Sequence, residues 1–383
     1  MKKLLAEAME QKEETRKHRR TLHALAEVGF ELPKSTDYVM NYLQKRGLSP
    51  RAYDTYGVSA DIRSKREDAP VLLLRADMDA LPMEEKSGLT FAAKNGNAHT
   101  CGHDLHAAML LGAVPLLLRR KESLRCHVRV MLQGAEETLG GARRMLADGV
   151  GEGVKAAYML HAITACPYRT GTLLLPPAGK AAPAAAFFQT VIRGEGGHGG
   201  LGTTEADALR IAVTTAAVLS SLPLTARLSL GQLEAGRAAN VLPTEAALSG
   251  TVRHMEESKM EETFIRIESA ARQVAELYGG KSETRITSRC PPLRIDCSLR
   301  ERARETLRLL LGEERVVMTE QPSGASEDFA LIAERCPSLT VAIAAGKREE
   351  GFDASLHHPR ARFDEEALPI GAAAYAALAL GDL

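Results

Sequence analysis

Apolar and polar positions along this chain follow two different periods, and the places where the period changes mark its elements. Residues 1–29 and 35–47 carry apolar residues at helical spacing with charged outer faces, which predicts amphipathic helices. From about residue 51, strand and helix patterns alternate. Val71-Leu-Leu-Leu-Arg-Ala-Asp77 is a short apolar run that ends in acids and reads as a strand. His103 opens a helix whose buried face is AAMLLGAVPLLL. Residues 126–132 alternate as a strand does, 141–148 form a short helix closed by Gly149, and 156–161 are another strand. Elements in this order predict an α/β sheet with helices on its faces.

Near residue 176 the pattern changes. Pro176-Pro177-Ala-Gly and Ala182-Pro183 read as a linker. A strand at 187–193, a helix at 204–221, strands at 225–234 and 245–254, a helix at 257–279 and a strand at 283–289 follow. That β-α-β-β-α-β order is the ferredoxin-like arrangement. Pro291-Pro292 ends it, and elements of the first type resume at 298–311, 327–335 and 339–345, with a last helix from about 364. The expected organisation is an α/β domain built on a mixed sheet from residues 1–179 and 292–383, with an α+β domain inserted at 180–291.

Composition narrows the classes of function. Lys plus Arg equals Asp plus Glu at 49 each, so no charge excess points to nucleic acid. The first residues, MKKLLAEAMEQKEETRKHRR, lack the apolar core of a signal peptide, and no stretch has the roughly 20 apolar residues of a membrane span. Cysteines 101, 126, 166, 290, 297 and 336 are scattered without a CxxC pair, which predicts reduced thiols and a cytoplasmic protein.

The chemistry lies in short runs rich in Asp, Glu, Cys and His. In Arg75-Ala-Asp77-Met-Asp79-Ala-Leu-Pro82, alternation puts both acids on one face, where they can bind a metal or orient a ligating histidine; an Asp-rich turn is the plainer reading. His99-Thr-Cys101-Gly-His103-Asp-Leu-His106 packs a thiol, imidazoles and a carboxylate into eight residues, and sulfur with imidazole suits zinc and its first-row neighbours. In Gln133-Gly-Ala-Glu136-Glu137 the adjacent acids point different ways, so one can ligate while the other serves as a general base; a solvated acidic turn is the alternative. His161 ends a strand, and His357-His358-Pro359 precedes the last helix. Asp77, Asp79, Glu136, Glu137 and His161 all fall at carboxyl ends of expected strands, the edge where open α/β sheets bind ligands. Two metal ions fit this number of ligands better than one. Gly194-Glu-Gly196-Gly-His198-Gly199 matches GxGxxG, but its helix comes late and the following strand lacks the required acid, so the glycines are read as a tight turn around His198.

With these motifs in order, the chain resembles the metal-dependent N-acyl-amino-acid amidohydrolases, which include hippurate and auxin-conjugate hydrolases, within the clan of co-catalytic zinc aminoacylases and carboxypeptidases. The resemblance runs through RADMDALP at 75–82, HTCGHDLH at 99–106, AEE at 135–137, GGHGG at 196–200, NVLP at 240–243, GTVR at 250–253, SEDF at 326–329 and LHHP at 356–359. It implies that Cys101, His103, Glu137, His161 and His357 hold two divalent metal ions, drawn from zinc, manganese, cobalt or nickel. It implies that Glu136 is the general base, that His198 on the inserted lid steadies the oxyanion, often in the partner subunit's site, and that Asp79 orients a ligand. It places Asn240 and Arg253 near the substrate carboxylate. It further implies a lid that dimerises, a small N-acyl amino acid as substrate, and neither nucleic acid nor membrane as partner. The alternatives are a dipeptidase or carboxypeptidase of the same clan, or an inactive metal-binding interaction protein. The chain departs from the family at Gln133-Gly134, where Gln-Pro is usual, and at His23-Ala-Leu-Ala26-Glu27, where a proline usually precedes the acid. It also lacks a proline in the run Gly199-Gly-Leu-Gly-Thr. None of these departures removes an expected ligand.

Overall fold

The computed structural model describes residues 1–200 and 206–381, which form two compact units. Met1–Ala181, Arg294–Ser323 and Glu327–Leu383 make the first, and Ala182–Leu293 with Gly324–Ser326 make the second. Residues 204 and 205 of the expected helix at 204–221, and 201–203 of the proline-free run, lie outside the described residues.

The first unit is built on an eight-stranded mixed sheet. Its central strands, in the order His127–Gln133, Val71–Asp77, Val154–Ile163 and Ser338–Ala344, are mutually parallel, so their carboxyl ends open along one edge. They are buried almost throughout, which is why they read as continuous apolar runs. The helix His103–Leu118 is buried along all but its last residue, and it packs against Lys12–Leu25 and Ala367–Gly381. Small residues allow that close approach. A Cβ on Gly371 would lie 1.9 Å from Met109 Sδ, and one on Gly112 would lie 3.1 Å from Ala372 Cβ.

Several sequence expectations change in detail. The first expected helix is two, Lys2–Glu10 and Lys12–Leu25, and it stops at Ala26, whose left-handed backbone (φ 38°) ends the second. The stretch read as a linker contains the strand Gly179–Ala182, paired with Leu293–Ile295. The helix expected over 327–335 is confined to Ala330–Ala333, which leaves Glu327 and Asp328 on the preceding turn. The strands Leu173–Leu175 and Val316–Met318, of three residues each, are too short to show a period.

In the second unit four antiparallel strands lie in the order Arg227–Ala235, Glu245–His254, Ala184–Arg193 and Lys281–Cys290. With the helices Ala208–Ser221 and Glu257–Leu277 this is the ferredoxin-like β-α-β-β-α-β topology. Phe188 and Ile192 on one strand and Leu248 and Val252 on its neighbour, each pair four residues apart, pack against Ile211, Leu219, Phe264 and Ile267 of the helices. One face of the sheet is therefore core, as the period of two requires. Asp207 caps the first of these helices by accepting the Leu209 N–H at 2.9 Å.

Gly134 shows why this chain departs from the usual Gln-Pro. Its N–H donates to Tyr56 O at 2.7 Å, and a Cβ there would lie 2.9 Å from both Gly29 O and Tyr56 O. Proline would lose the bond and press on two carbonyls. Gly134→Pro is expected to destabilise the protein by about 2–3 kcal/mol in denaturant titrations.

Candidate metal centre

Each site residue is carried to the sheet edge by a local device. Asp77 and Gln133 are the last residues of their strands, and His161 lies two residues before the end of Val154–Ile163. Ala135, with φ 56°, turns the chain so that Glu136 and Glu137 follow directly. Gly102 takes a left-handed conformation (φ 87°) to start the helix at His103, and a Cβ there would lie 3.0 Å from the Phe363 ring. His357, also left-handed at φ 63°, donates its N–H to Thr100 O at 3.1 Å, which ties its loop to the Cys101 segment.

These devices gather the five expected ligands in the first unit. Donor atoms of Cys101, His103 and His161 lie within 4.8 Å of one another, as do those of Cys101, Glu137 and His357, and those of His103, Glu136 and Glu137. Cys101 Sγ is 3.8 Å from His161 Nε2, and His357 Nε2 is 3.3 Å from Glu137 Oε1. Both ring nitrogens of His103 are buried without a hydrogen bond, although Nδ1 lies 3.3 Å from Asp79 Oδ1. Buried polar atoms are rarely left so. A thiol, three imidazoles and a carboxylate converging around unsatisfied donor atoms fit divalent metal ions of the zinc type.

The electrostatics point the same way. Burial and the Glu137 charge push the Cys101 thiol up, but His103 and His161 outweigh them and bring it down to about 7. Burial opposes charge on His161, yet Cys101 raises it to about 9, and Cys101 with Glu137 raises His357 to about 10. The thiol and carboxylates of the cluster thus favour positive charge among them, a role that bound divalent ions would fill. Burial, followed by the charges of Glu327, Glu137 and Asp328, pushes Glu136 well above the usual carboxylate range.

Other polar residues of the motifs are already engaged. Asp79 accepts the N–H groups of Glu136 and Glu137, both at 3.2 Å, and so pins the backbone of the acidic pair while facing His103. His106 Nδ1 donates to Asp77 Oδ1 at 2.5 Å, and its Nε2 accepts the Ala162 N–H at 2.6 Å, so neither nitrogen is free to ligate. Asp104 turns away and pairs with Arg19 Nε at 3.0 Å and His23 Nδ1 at 2.9 Å. His23 in turn reaches Glu85 at 3.0 Å.

Sequence reasoning did not place Arg75, Gln133, Glu327 or Asp328 in the site. Arg75 is fully buried, and its guanidinium meets Asp77 Oδ2 at 2.8 Å, Glu327 Oε1 at 3.1 Å, Asp328 Oδ1 at 2.8 Å and Gln133 Oε1 at 3.1 Å. The Asp328 N–H approaches Glu136 Oε1 at 3.4 Å. An arginine inside the apolar run Leu72-Leu-Leu-Arg75 was the available signal, since a buried cation requires anions around it.

The remaining expected residues belong to the second unit. His198 is exposed on a two-residue strand paired with Val241–Leu242, and its Nδ1 accepts the Gly200 N–H at 3.1 Å. Asn240 lies beside it, its carbonyl accepting the Gly199 N–H at 3.0 Å. Arg253 pairs with Ala185, at the opposite end of Ala184–Arg193 from the glycine turn, so this unit does not bring it to His198. The strand before Gly194 is antiparallel to its neighbours, and the next helix among the described residues starts at Ala208, so the GxGxxG run is not a dinucleotide fold.

Peptidase family M20/M25/M40 matches residues 73–381 of the chain. The chain belongs to the M20 family. Among relatives of this M20 protein is the N-acetylcysteine deacetylase of Bacillus subtilis (strain 168), 33% identical over 374 residues that cover 94% of this chain and 95% of the relative. The IAA-amino acid hydrolase ILR1-like 2 of Arabidopsis thaliana is 30% identical over 379 residues, covering 95% and 84%. Among solved structures, the Bacillus subtilis YXEP protein, a dinuclear metal-binding peptidase of the M20 family, superposes with a TM-score of 0.73 at 31% identity over 96% of this chain and 97% of that one.

The His23 cluster makes the stability of this M20 protein depend on pH. Burial opposes charge on His23, but Asp104 and Glu85 raise it from 6.5 to about 9. A raised value in the folded state stabilises fully below the unfolded value and is lost as pH rises through the folded one. Denaturant midpoints are expected to fall between pH 6.5 and 9, and to fall less in His23→Gln.

Proposed function

We propose that this M20 protein hydrolyses the amide bond of N-acyl amino acids, using two divalent metal ions held by Cys101, His103, Glu137, His161 and His357. The observation that carries this reading is the convergence of those five side chains beside Glu136, a buried carboxylate outside that ligand set. Relatives that act on acylated amino acids support the chemistry. The ions are zinc, manganese, cobalt or nickel, and when bound they supply Lewis acidity toward the attacking water and the acyl carbonyl.

The residues divide the remaining work. Glu136 takes a proton from the attacking water and delivers it to the leaving nitrogen, and its environment favours the protonated form it holds in between. Asp79 keeps Glu136 and Glu137 in register through their backbone. His198 donates to the developing oxyanion, with Asn240 beside it, and Arg253 receives the substrate carboxylate. Residues 180–291 act as a lid through which two copies pair, residues 1–179 and 292–383 act as the catalytic domain, and the protein works in the cytoplasm. A carboxypeptidase reading draws support from thermostable carboxypeptidase 2 of Saccharolobus solfataricus, 30% identical over 94% of this chain. Rates on matched acyl-amino acids and dipeptides separate the two.

Glu136→Gln is expected to keep its metal, measured by mass spectrometry, while kcat falls by about 10²- to 10⁴-fold. Near-normal turnover refutes Glu136 as base. Cys101→Ser is expected to lose bound metal, and chelation should abolish turnover that added metal restores.

A further inference from the structure

Beside the proposed ligands, one oxygen each from Glu136, Glu327 and Asp328 lies within 4.8 Å of the other two. Asp328 is fully committed, since its oxygens receive Arg75 Nη2, Gln133 Nε2 and the Ala142 N–H, all at 2.8 Å at closest. Glu136 is the proposed base. Glu327 stands apart from both. Its Oε1 accepts the Phe329 N–H at 3.2 Å and lies 3.1 Å from Arg75 Nη1 as an ion pair, and its Oε2 has no hydrogen-bond partner among the described residues. Its side chain keeps 10% of its surface open to solvent, whereas Asp328 keeps none.

A carboxylate oxygen that no donor of the protein occupies can accept a hydrogen bond from a substrate donor. An N-acyl amino acid offers one donor next to the carbon under attack, the N–H of the scissile amide. Glu136 must reach that same nitrogen to protonate it, and one oxygen of Glu327 lies within 4.8 Å of one oxygen of Glu136, which sets the two carboxylates side by side at the scissile amide. We propose that Glu327 is a catalytic residue whose free oxygen accepts a hydrogen bond from the scissile N–H, steadying the nitrogen as it departs and selecting amides over esters.

This rests on the amide-hydrolase reading. In the step, the water oxygen bonds to the acyl carbon, and one water proton passes to Glu136 and then to nitrogen. The C–N bond breaks with its electron pair on nitrogen, which leaves as a primary amine. The second water proton stays with the carboxylic acid product and is released to solvent, and Glu327 neither gains nor loses a proton. Because nitrogen gains positive character as it is protonated, the bond to Glu327 tightens towards the transition state.

The test compares the best N-acyl amino acid of a substrate panel with its ester counterpart, in which oxygen replaces N–H. In metal-loaded Glu327→Gln, Arg75 and the Phe329 N–H claim the amide oxygen, which leaves an NH2 group facing the substrate donor. The expected result is a drop in kcat/KM of about 10- to 100-fold for the amide, the size of one hydrogen bond to a charged group, with a change under about threefold for the ester. Metal content should match wild type. On a Glu136→Gln background, calorimetric affinity should fall for the amide and hold for the ester. Asp328→Asn disturbs the same network without touching the free oxygen, and should lower both substrates alike. Equal losses on amide and ester in Glu327→Gln, loss of metal from it, or an amide-selective loss in Asp328→Asn each overturn the proposal. Turnover retained by Glu136→Gln overturns the base assignment and this proposal together. An inactive Glu136→Gln beside a Glu327→Gln that treats both substrates alike removes this proposal alone.

Discussion

Arg75 lies inside the sheet with no exposed surface, and its guanidinium binds Asp77, Glu327, Asp328 and Gln133. A charge taken out of water at this depth is tolerated only when anions and hydrogen bonds surround it. The groups that satisfy it come from the ends of two neighbouring strands and from a turn 253 positions along the chain. Asp77 then holds His106, and His106 holds the Ala162 N–H on a third strand. One buried cation thereby links the strand ends laterally. The acids and imidazoles of the metal centre stand on that frame.

The same charge sorts the acids of the edge into two groups. Asp77, Glu327 and Asp328 share Arg75, while Glu137 and the Cys101 sulfur have imidazoles for partners. Those imidazoles rise to about 9 at His161 and about 10 at His357 because the cluster around them is anionic. Glu136 sits between the groups and is claimed by neither, which is why burial and its neighbours push it towards the protonated form. An acid in that position can take a proton and return it.

Much of this edge was readable from local pattern. The apolar run before Asp77, the alternation before Gln133 and the strand through His161 each reveal where a strand ends, because period and burial are written into neighbouring residues. Cys101 and His103 stand out because thiol and imidazole at a helix start have few other uses. Glu327 and Asp328 do not stand out, since Ser-Glu-Asp reads as an ordinary polar turn before a helix of only four residues. Nor does the run around Cys101 say which histidine is free. His103 keeps its ring unbonded while His106, three residues on, spends both nitrogens on the sheet.

By itself, then, the sequence determined the parallel strands, the ferredoxin-like unit and the residue types that collect at the carboxyl edge, because each depends on spacing within a few residues. It also carried, in the order of its motifs, the resemblance to an amide-cleaving metallohydrolase family. Only the tertiary structure decided which acids are neutralised and which stay free, why Gly134 cannot be proline, and why Glu327 keeps one oxygen open. Those outcomes depend on burial and on partners far apart in the chain, and neither is encoded in any local period.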